Sequence, residues 1–287
     1  MYCIDHYYGV NPQATATTLE ALASRNHKAI KVALALSRSV YDEDFYGLEK
    51  IPYIPGPRDP DMLQKVIFES VGQKHEPLRL ATRPETATHW PTSLYTATKL
   101  AYEKQGRLFA YAYDTRMFAL RFQNAYSEHQ SLRKPPKGII SIFLKLIRKS
   151  LPINIFKEGH ESWYFVHVID MIRPIGLSFA AYLPTLSIIK VGSGVSTSVL
   201  EFDDQLLQEL CILSKPEVSG DFQARDLRHC YEDLDKNSRF LIFEPDFNIS
   251  EEMHLFCAWV HTQVIMLYRS EQAMAELSVI RLSKSSC

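Results

Sequence analysis

Pro91-Thr92-Ser93-Leu94-Tyr95-Thr96-Ala97-Thr98-Lys99 is the stretch of this 287-residue sequence that decides the fold. Ser93 offers a side-chain cap for a helix running from about Ser93 to Tyr113. On such a helix Tyr95 and Lys99, four residues apart, project from one face. An ammonium beside a phenol favours the phenolate, which makes a tyrosine usable as a general base. The pair alone carries little weight. Fifteen tyrosines and sixteen lysines predict about one such spacing by composition, and a second, Tyr46/Lys50, falls in a proline-rich stretch. Its surroundings carry the information. Upstream, Lys31–Leu36 (KVALAL) reads as a buried strand ending at Ser37. A hydroxyl at the C-terminal end of a strand in an open parallel sheet lies where such sheets bind ligands. Downstream, Met117–Phe122 (MFALRF) reads as the next strand and leads to Asn124.

The pattern continues on both sides. Residues 13–24 read as a helix of good helix formers, and Asn124–Lys137 as a polar loop before an amphipathic helix at Gly138–Lys149. Further on, strand-like segments at Ile153–Phe156, Phe165–Val168, Leu186–Val191 and Cys230–Glu232 alternate with helical ones at Asp170–Tyr182, Ser198–Leu210, Lys236–Phe240 and Ser250–Leu267. Such alternation predicts an α/β fold with a mostly parallel sheet. Between Tyr41 and Pro91 the periodicity collapses around prolines 52, 55, 57 and 60, which marks a long insertion. Tyr268–Cys287 has no clear assignment.

Composition narrows the function. Lys+Arg 32 against Asp+Glu 33 gives a formal charge of -1, so no global field draws nucleic acid or anionic lipid. Five widely spaced cysteines without a C-x-x-C pair suggest neither a disulfide framework nor a zinc site. The N-terminal MYCIDHYYGV lacks the features of a signal peptide, no apolar run approaches the ~20 residues of a membrane span, and the expected location is cytoplasmic. Glycine is scarce: 11 residues, about half the usual share of roughly 7%. The one G-x-G, Gly192-Ser193-Gly194, has Thr197 where a dinucleotide loop needs its third glycine, and reads as an ordinary strand-to-helix turn. His167 reads as a packed, hydrogen-bonded core residue, and no G-x-S-x-G elbow occurs.

Taken together and in order, these segments resemble the NAD-dependent epimerase/dehydratase family, the extended short-chain dehydrogenase/reductases that act on nucleotide-sugars. The family's S-x-x-V-Y is similar to Ser37–Tyr41, its P-x-S-x-Y-x-x-x-K to Pro91–Lys99 and its L-R-F-x-N-x-Y to Leu120–Tyr126. Its F-V-H-V-x-D resembles Phe165–Asp170, its V-G-S-G matches Val191–Gly194, and its N-V-x-G-T-x-x-L-L-E-A helix resembles Asn11 with Thr15–Ala21. The insertion near residues 42–91 resembles that of a rhamnose 4-epimerase-like subset, here without its cysteines.

The resemblance implies a Rossmann-type doubly wound parallel sheet, incomplete here because the first βαβ units are missing. Residues 1–137 would be the remnant of the NAD-binding domain, 138–267 mainly a smaller C-terminal α/β substrate domain, and 268–287 a tail. Tyr95 would be the catalytic acid/base, Lys99 would lower its pKa and hold the nicotinamide ribose, and Ser37 would hydrogen-bond the reacting oxygen. Asn124 would bind substrate beside the nucleotide phosphates. The implied cofactor is NAD, and the implied partners are a nucleotide-sugar and either a second copy of the chain or a separate N-terminal chain.

The sequence departs from the family at its charged positions. No G-x-x-G-x-x-G occurs, and the family's R-D before F-V-H-V is Trp163-Tyr164 here. A later R-x-G-D becomes Gln223-Ala224-Arg225-Asp226. Two readings follow: a relative inactive on its own for want of a cofactor loop, or an active nucleotide-sugar 4-epimerase, alone or completed by a separate N-terminal chain, that uses Tyr95.

Overall fold

Three strands, Lys31–Ser37, Arg116–Phe122 and Leu186–Val191, pair in parallel in that order, with Leu34 opposite Ala119 and Leu120 opposite Ile189. The computed structural model describes residues 4–25, 31–41, 93–130, 159–182, 184–212 and 241–263, with shorter pieces at 46–48, 51–53, 78–79, 91, 140, 143–144, 147, 154–155, 217–218, 222–223 and 283–284. The Arg116–Phe122 strand has neighbours on both sides and is buried through Met117–Arg121, as a strand covered on both faces must be.

Period-2 alternation sorts its side chains. Met117 and Ala119 join Leu34, Leu36 and Ala110 beneath the Leu94–Tyr113 helix. Phe118 and Leu120 join Ile189, Val191, Leu241 and Phe243 on the other face, against Met171 and Ile175 of the Val168–Ala180 helix. This is the α/β architecture with a parallel sheet expected from the alternation.

The Leu94–Tyr113 helix lies close to the sheet for a simple reason. A Cβ on Gly106 would collide with Leu34 Cδ1 and meet Met117 Cε at 3.1 Å, so glycine permits the approach. Glu103, one turn earlier, forms a two-pronged ion pair with Arg121, Oε2 to Nε at 2.9 Å and Oε1 to Nη2 at 2.7 Å. Arg121 is wholly buried and also stacks on the Tyr41 ring, 4.4 Å from its centroid.

A second sheet runs Ser196–Ser198, Ser162–His167, Asn124–Tyr126, antiparallel at the first pairing and parallel at the second. Asn124–Tyr126 departs from the expected loop. Its composition is polar, but pairing of Asn124 with Phe165 and Tyr126 with His167 makes it a strand. That sheet borders the largest apolar cluster, which includes Tyr126, Phe143, Leu144, Phe165, Phe202, Leu206 and Phe256. Ile140, Phe143, Leu144 and Ile147 are helical and buried at helical spacing, and the rest of the expected Gly138–Lys149 helix lies outside the described residues. Among the described residues no helix is long and apolar enough to cross a membrane, and no group of three His, Cys, Asp or Glu could hold a metal.

Part of the insertion forms an antiparallel sheet in the order Ile51–Tyr53, Tyr46–Leu48, Leu78–Arg79, so Tyr46 lies in a strand, while Lys50 is outside the described residues. The expected elements at Cys230–Glu232 and Lys236–Phe240, and residues Ala224–Asp226, lie outside the described residues.

The Val199–Glu209 helix opens on a capping box: Ser198 Oγ accepts from Glu201 N at 3.1 Å, and Ser198 N donates to Glu201 Oε2 at 2.7 Å. Those bonds hold the Glu201 carboxyl below its ordinary range. Asp203, two residues on, is fully buried, and neither of its oxygens has a hydrogen-bond partner among the described residues. Burial, with Asp204 alongside, pushes its carboxyl from 3.8 up to about 7. A raised carboxyl favours the folded state while protonated, so its contribution is full below pH 4 and is lost as pH rises towards 7. Asp203→Asn should therefore leave stability near that of the parent at pH 4. At pH 8 it should exceed the parent by about 2–4 kcal/mol in urea unfolding; equal gains at both pH values would contradict this assignment.

Candidate functional site

Ser37 closes the Lys31–Ser37 strand, and the chain turns at once into the 3-10 turn Arg38–Tyr41. Its Oγ accepts from Ser39 N at 3.2 Å and is hydrogen-bonded to the Tyr95 side chain. Tyr95 sits in the first turn of the Leu94–Tyr113 helix. Ser93 caps that helix from an extended conformation, its Oγ accepting from Thr96 N at 3.1 Å. The Tyr95 ring meets Tyr7 edge-on at 6.0 Å. One turn along, Lys99 Nζ lies 5.9 Å from the Tyr95 ring centroid and 5.4 Å from that of Tyr102, and donates to Ala35 O at 3.1 Å. Asn11 Nδ2 donates to Thr98 Oγ1 at 3.0 Å, which ties the N-terminal helical segment to the same turn.

The structure thus brings Ser37, Tyr95 and Lys99 together at the C-terminal end of one strand. Asn124 stands two residues beyond Phe122, which is level with Ser37 in the neighbouring strand, so it occupies the same edge of the sheet. Its Nδ2 is buried with no partner among the described residues.

The electrostatics set the protonation states. Burial raises the Tyr95 phenol, Tyr7 adds to this, and the Ser37 hydrogen bond offsets it only in part. Burial lowers Lys99. Desolvation therefore decides the direction at Tyr95, and at neutral pH the phenol keeps its proton. As arranged, the protonated phenol of Tyr95 lies in hydrogen-bond contact with Ser37.

Tyr7 and Tyr102 escaped the sequence reading. Tyr102 was legible, because it falls three residues after Lys99; nothing in the sequence marked Tyr7. The family-like F-V-H-V-x-D segment proves architectural. Asp170 is wholly buried and accepts from Phe247 N at 2.9 Å and Asp246 N at 3.1 Å, and from Arg173 Nη1 at 3.1 Å. His167 is a core residue, its Nε2 3.4 Å from Glu128 Oε2 and its ring 5.4 Å from that of Tyr126. Gly194 adopts φ +73°, which a strand-to-helix turn there requires.

Residues 4–182 match the model of the NAD dependent epimerase/dehydratase family. The chain belongs to that family. It is 29% identical over 252 residues to a dTDP-L-rhamnose 4-epimerase of Burkholderia thailandensis, covering 88% of this chain and 68% of the relative. A putative UDP-glucose 4-epimerase of Methanocaldococcus jannaschii is 28% identical, with 80% of this chain and 74% of the relative covered. Among solved structures, the UDP-glucuronic acid 4-epimerase of Bacillus cereus in complex with UDP-glucuronic acid and NAD superposes with a TM-score of 0.66 at 18% identity, covering 88% of this chain and 68% of that one. The UDP-N-acetylglucosamine 4-epimerase of Methanobrevibacter ruminantium gives 0.65 at 21% identity, covering 90% and 71%. The fold is therefore the Rossmann-type α/β fold of this NAD-dependent family, and the chain spans about two thirds of the length of these relatives.

Proposed function

We propose that this chain is an epimerase/dehydratase relative that keeps the proton-handling and sugar-facing part of the site and does not turn over nucleotide-sugars by itself. Tyr95, hydrogen-bonded to Ser37 with Lys99 one turn along, is the group that would give a proton to a sugar oxygen or take one from it. Ser37 would hold that oxygen in line, and Asn124 would donate its free amide to the substrate. NAD, where bound, supplies the hydride acceptor of this chemistry.

The residues fit one end of that cofactor and not the other. Lys99 and Tyr95 stand at the strand end where a nicotinamide ribose would be held. For the pyrophosphate, the 287 residues offer no G-x-x-G-x-x-G and not one G-x-x-G. Without a glycine turn leading into a helix N-terminus, nothing balances the two phosphate charges. Hydride chemistry is therefore not assigned to this chain alone.

A second reading rests on the intact Ser37–Tyr95 contact: an active 4-epimerase, completed by a separate chain that supplies the cofactor loop. The two separate in a turnover assay. The 287-residue chain, given millimolar NAD and UDP-glucose, UDP-glucuronic acid or dTDP-rhamnose, should show no epimer by proton NMR over a day. Conversion abolished by Tyr95→Phe would overturn the silent reading and establish the enzyme.

A further inference from the structure

Arg38 directly follows Ser37, and its guanidinium carbon lies 5.0 Å from the Trp163 ring centroid. It is half-buried, and no carboxylate among the described residues pairs with it. Arg121, buried in the central strand, is by contrast held by Glu103 on two prongs. Stacking on an indole orients a guanidinium but leaves its in-plane N–H groups free. Trp163 itself carries a buried Nε1–H with no partner among the described residues, and so does Asn124 at Nδ2.

These donors are neighbours by topology. Asn124 is level with Phe165 in the parallel pairing, and Trp163 lies two residues before Phe165, on the same face of that strand. Two buried donors without a partner among the described residues, Trp163 Nε1 and Asn124 Nδ2, thus share the strand pair whose Trp163 carries the Arg38 guanidinium. Buried donors rarely stay unpaired in proteins, so such a cluster is the signature of an absent acceptor.

We propose that Arg38, docked on Trp163, is an anion-binding and specificity-determining residue of this pocket. It takes an anionic group of the ligand, either a phosphate of the nucleotide or a carboxylate on the sugar, by the planar two-pronged geometry that guanidinium offers both. The inference rests on the nucleotide-sugar reading of the pocket. It adds that Trp163, although apolar, serves anion binding by holding a cation from a different strand end.

Calorimetric titrations with UDP-glucuronic acid, UDP-glucose, UDP and inorganic pyrophosphate test it, since none needs NAD. Arg38→Ala should weaken UDP-glucuronic acid at least tenfold, and Trp163→Ala should do nearly the same by releasing the guanidinium. Trp163→Phe, which keeps a ring, should lose less. Thermal melts of each variant report folding, and Arg38→Gln serves should Arg38→Ala fail to fold. A loss shared equally by UDP and UDP-glucose identifies the phosphate as the bound group, and a loss confined to UDP-glucuronic acid identifies the carboxylate; either supports the proposal. Unchanged affinity in Arg38→Ala and Arg38→Gln for all four ligands overturns it. So does failure of the parent chain to bind any of the four. Pyrophosphate binding that depends on Arg38, without binding of any nucleotide, would keep the anion site and remove the nucleotide-sugar reading.

Discussion

Glu103→Ala should destabilise the folded chain by about 3–5 kcal/mol, the cost of leaving a buried guanidinium without its carboxylate. Arg121 is 0% exposed and has no route to solvent, so its charge cannot be rehydrated in the folded state. Its pKa is raised above the ordinary value: burial works against the charge, and Tyr41 and Glu103 together outweigh it, so it does not escape by losing a proton. The pair also clamps the Leu94–Tyr113 helix to the central strand three residues before Gly106, where a Cβ would meet Leu34 and Met117. The loss therefore reaches the turn that carries Tyr95 and Lys99. Replacing both partners by apolar residues, Glu103→Leu with Arg121→Met, should recover most of the stability, because no unpaired charge remains. Urea unfolding of the two variants beside the parent checks this. A cost below about 1 kcal/mol for Glu103→Ala, within the range of surface ion pairs, would show that water reaches the site.

Much of the fold was legible because it depends on local pattern. The buried runs Lys31–Leu36 and Leu186–Val191 are strands at or within one residue of their expected limits, since an apolar run between helical segments has few alternatives in an α/β chain. The Leu94–Tyr113 helix followed from its serine cap and its good helix formers. Asn124–Tyr126 was not legible, because a three-residue strand with a polar first residue exists only through its pairing with Phe165–His167. For the same reason the Ser162–His167 strand begins three residues earlier than its apolar content suggested: Ser196–Ser198 pairs with its first half.

The site divides in the same way. Ser37, Tyr95 and Lys99 announce themselves by position in their elements, and the structure gathers them at one strand end. The direction of the Tyr95 shift could not be read from spacing. The sequence supplies the lysine four residues on, but desolvation by the folded surroundings, and the Tyr7 ring brought in from the N-terminal segment, decide the sign. The Arg38–Trp163 contact joins residues 125 positions apart, so only the folded chain reveals it.

The proposal that Ser37, Tyr95 and Lys99 remain without a cradle for the family's cofactor is decided by NAD binding. A dinucleotide carries two adjacent phosphate charges, which proteins balance with backbone N–H groups and a helix N-terminus reached through glycines. The 287 residues contain no G-x-x-G, and the proposed contacts of Lys99 and Tyr95 reach only the nicotinamide end. Isothermal titration of the purified chain with NAD should give no saturable heat up to about 1 mM, a binding free energy weaker than about −4 kcal/mol. NAD carried through purification, or a saturable isotherm in the micromolar range, would contradict the account and place a cofactor cradle elsewhere in this chain.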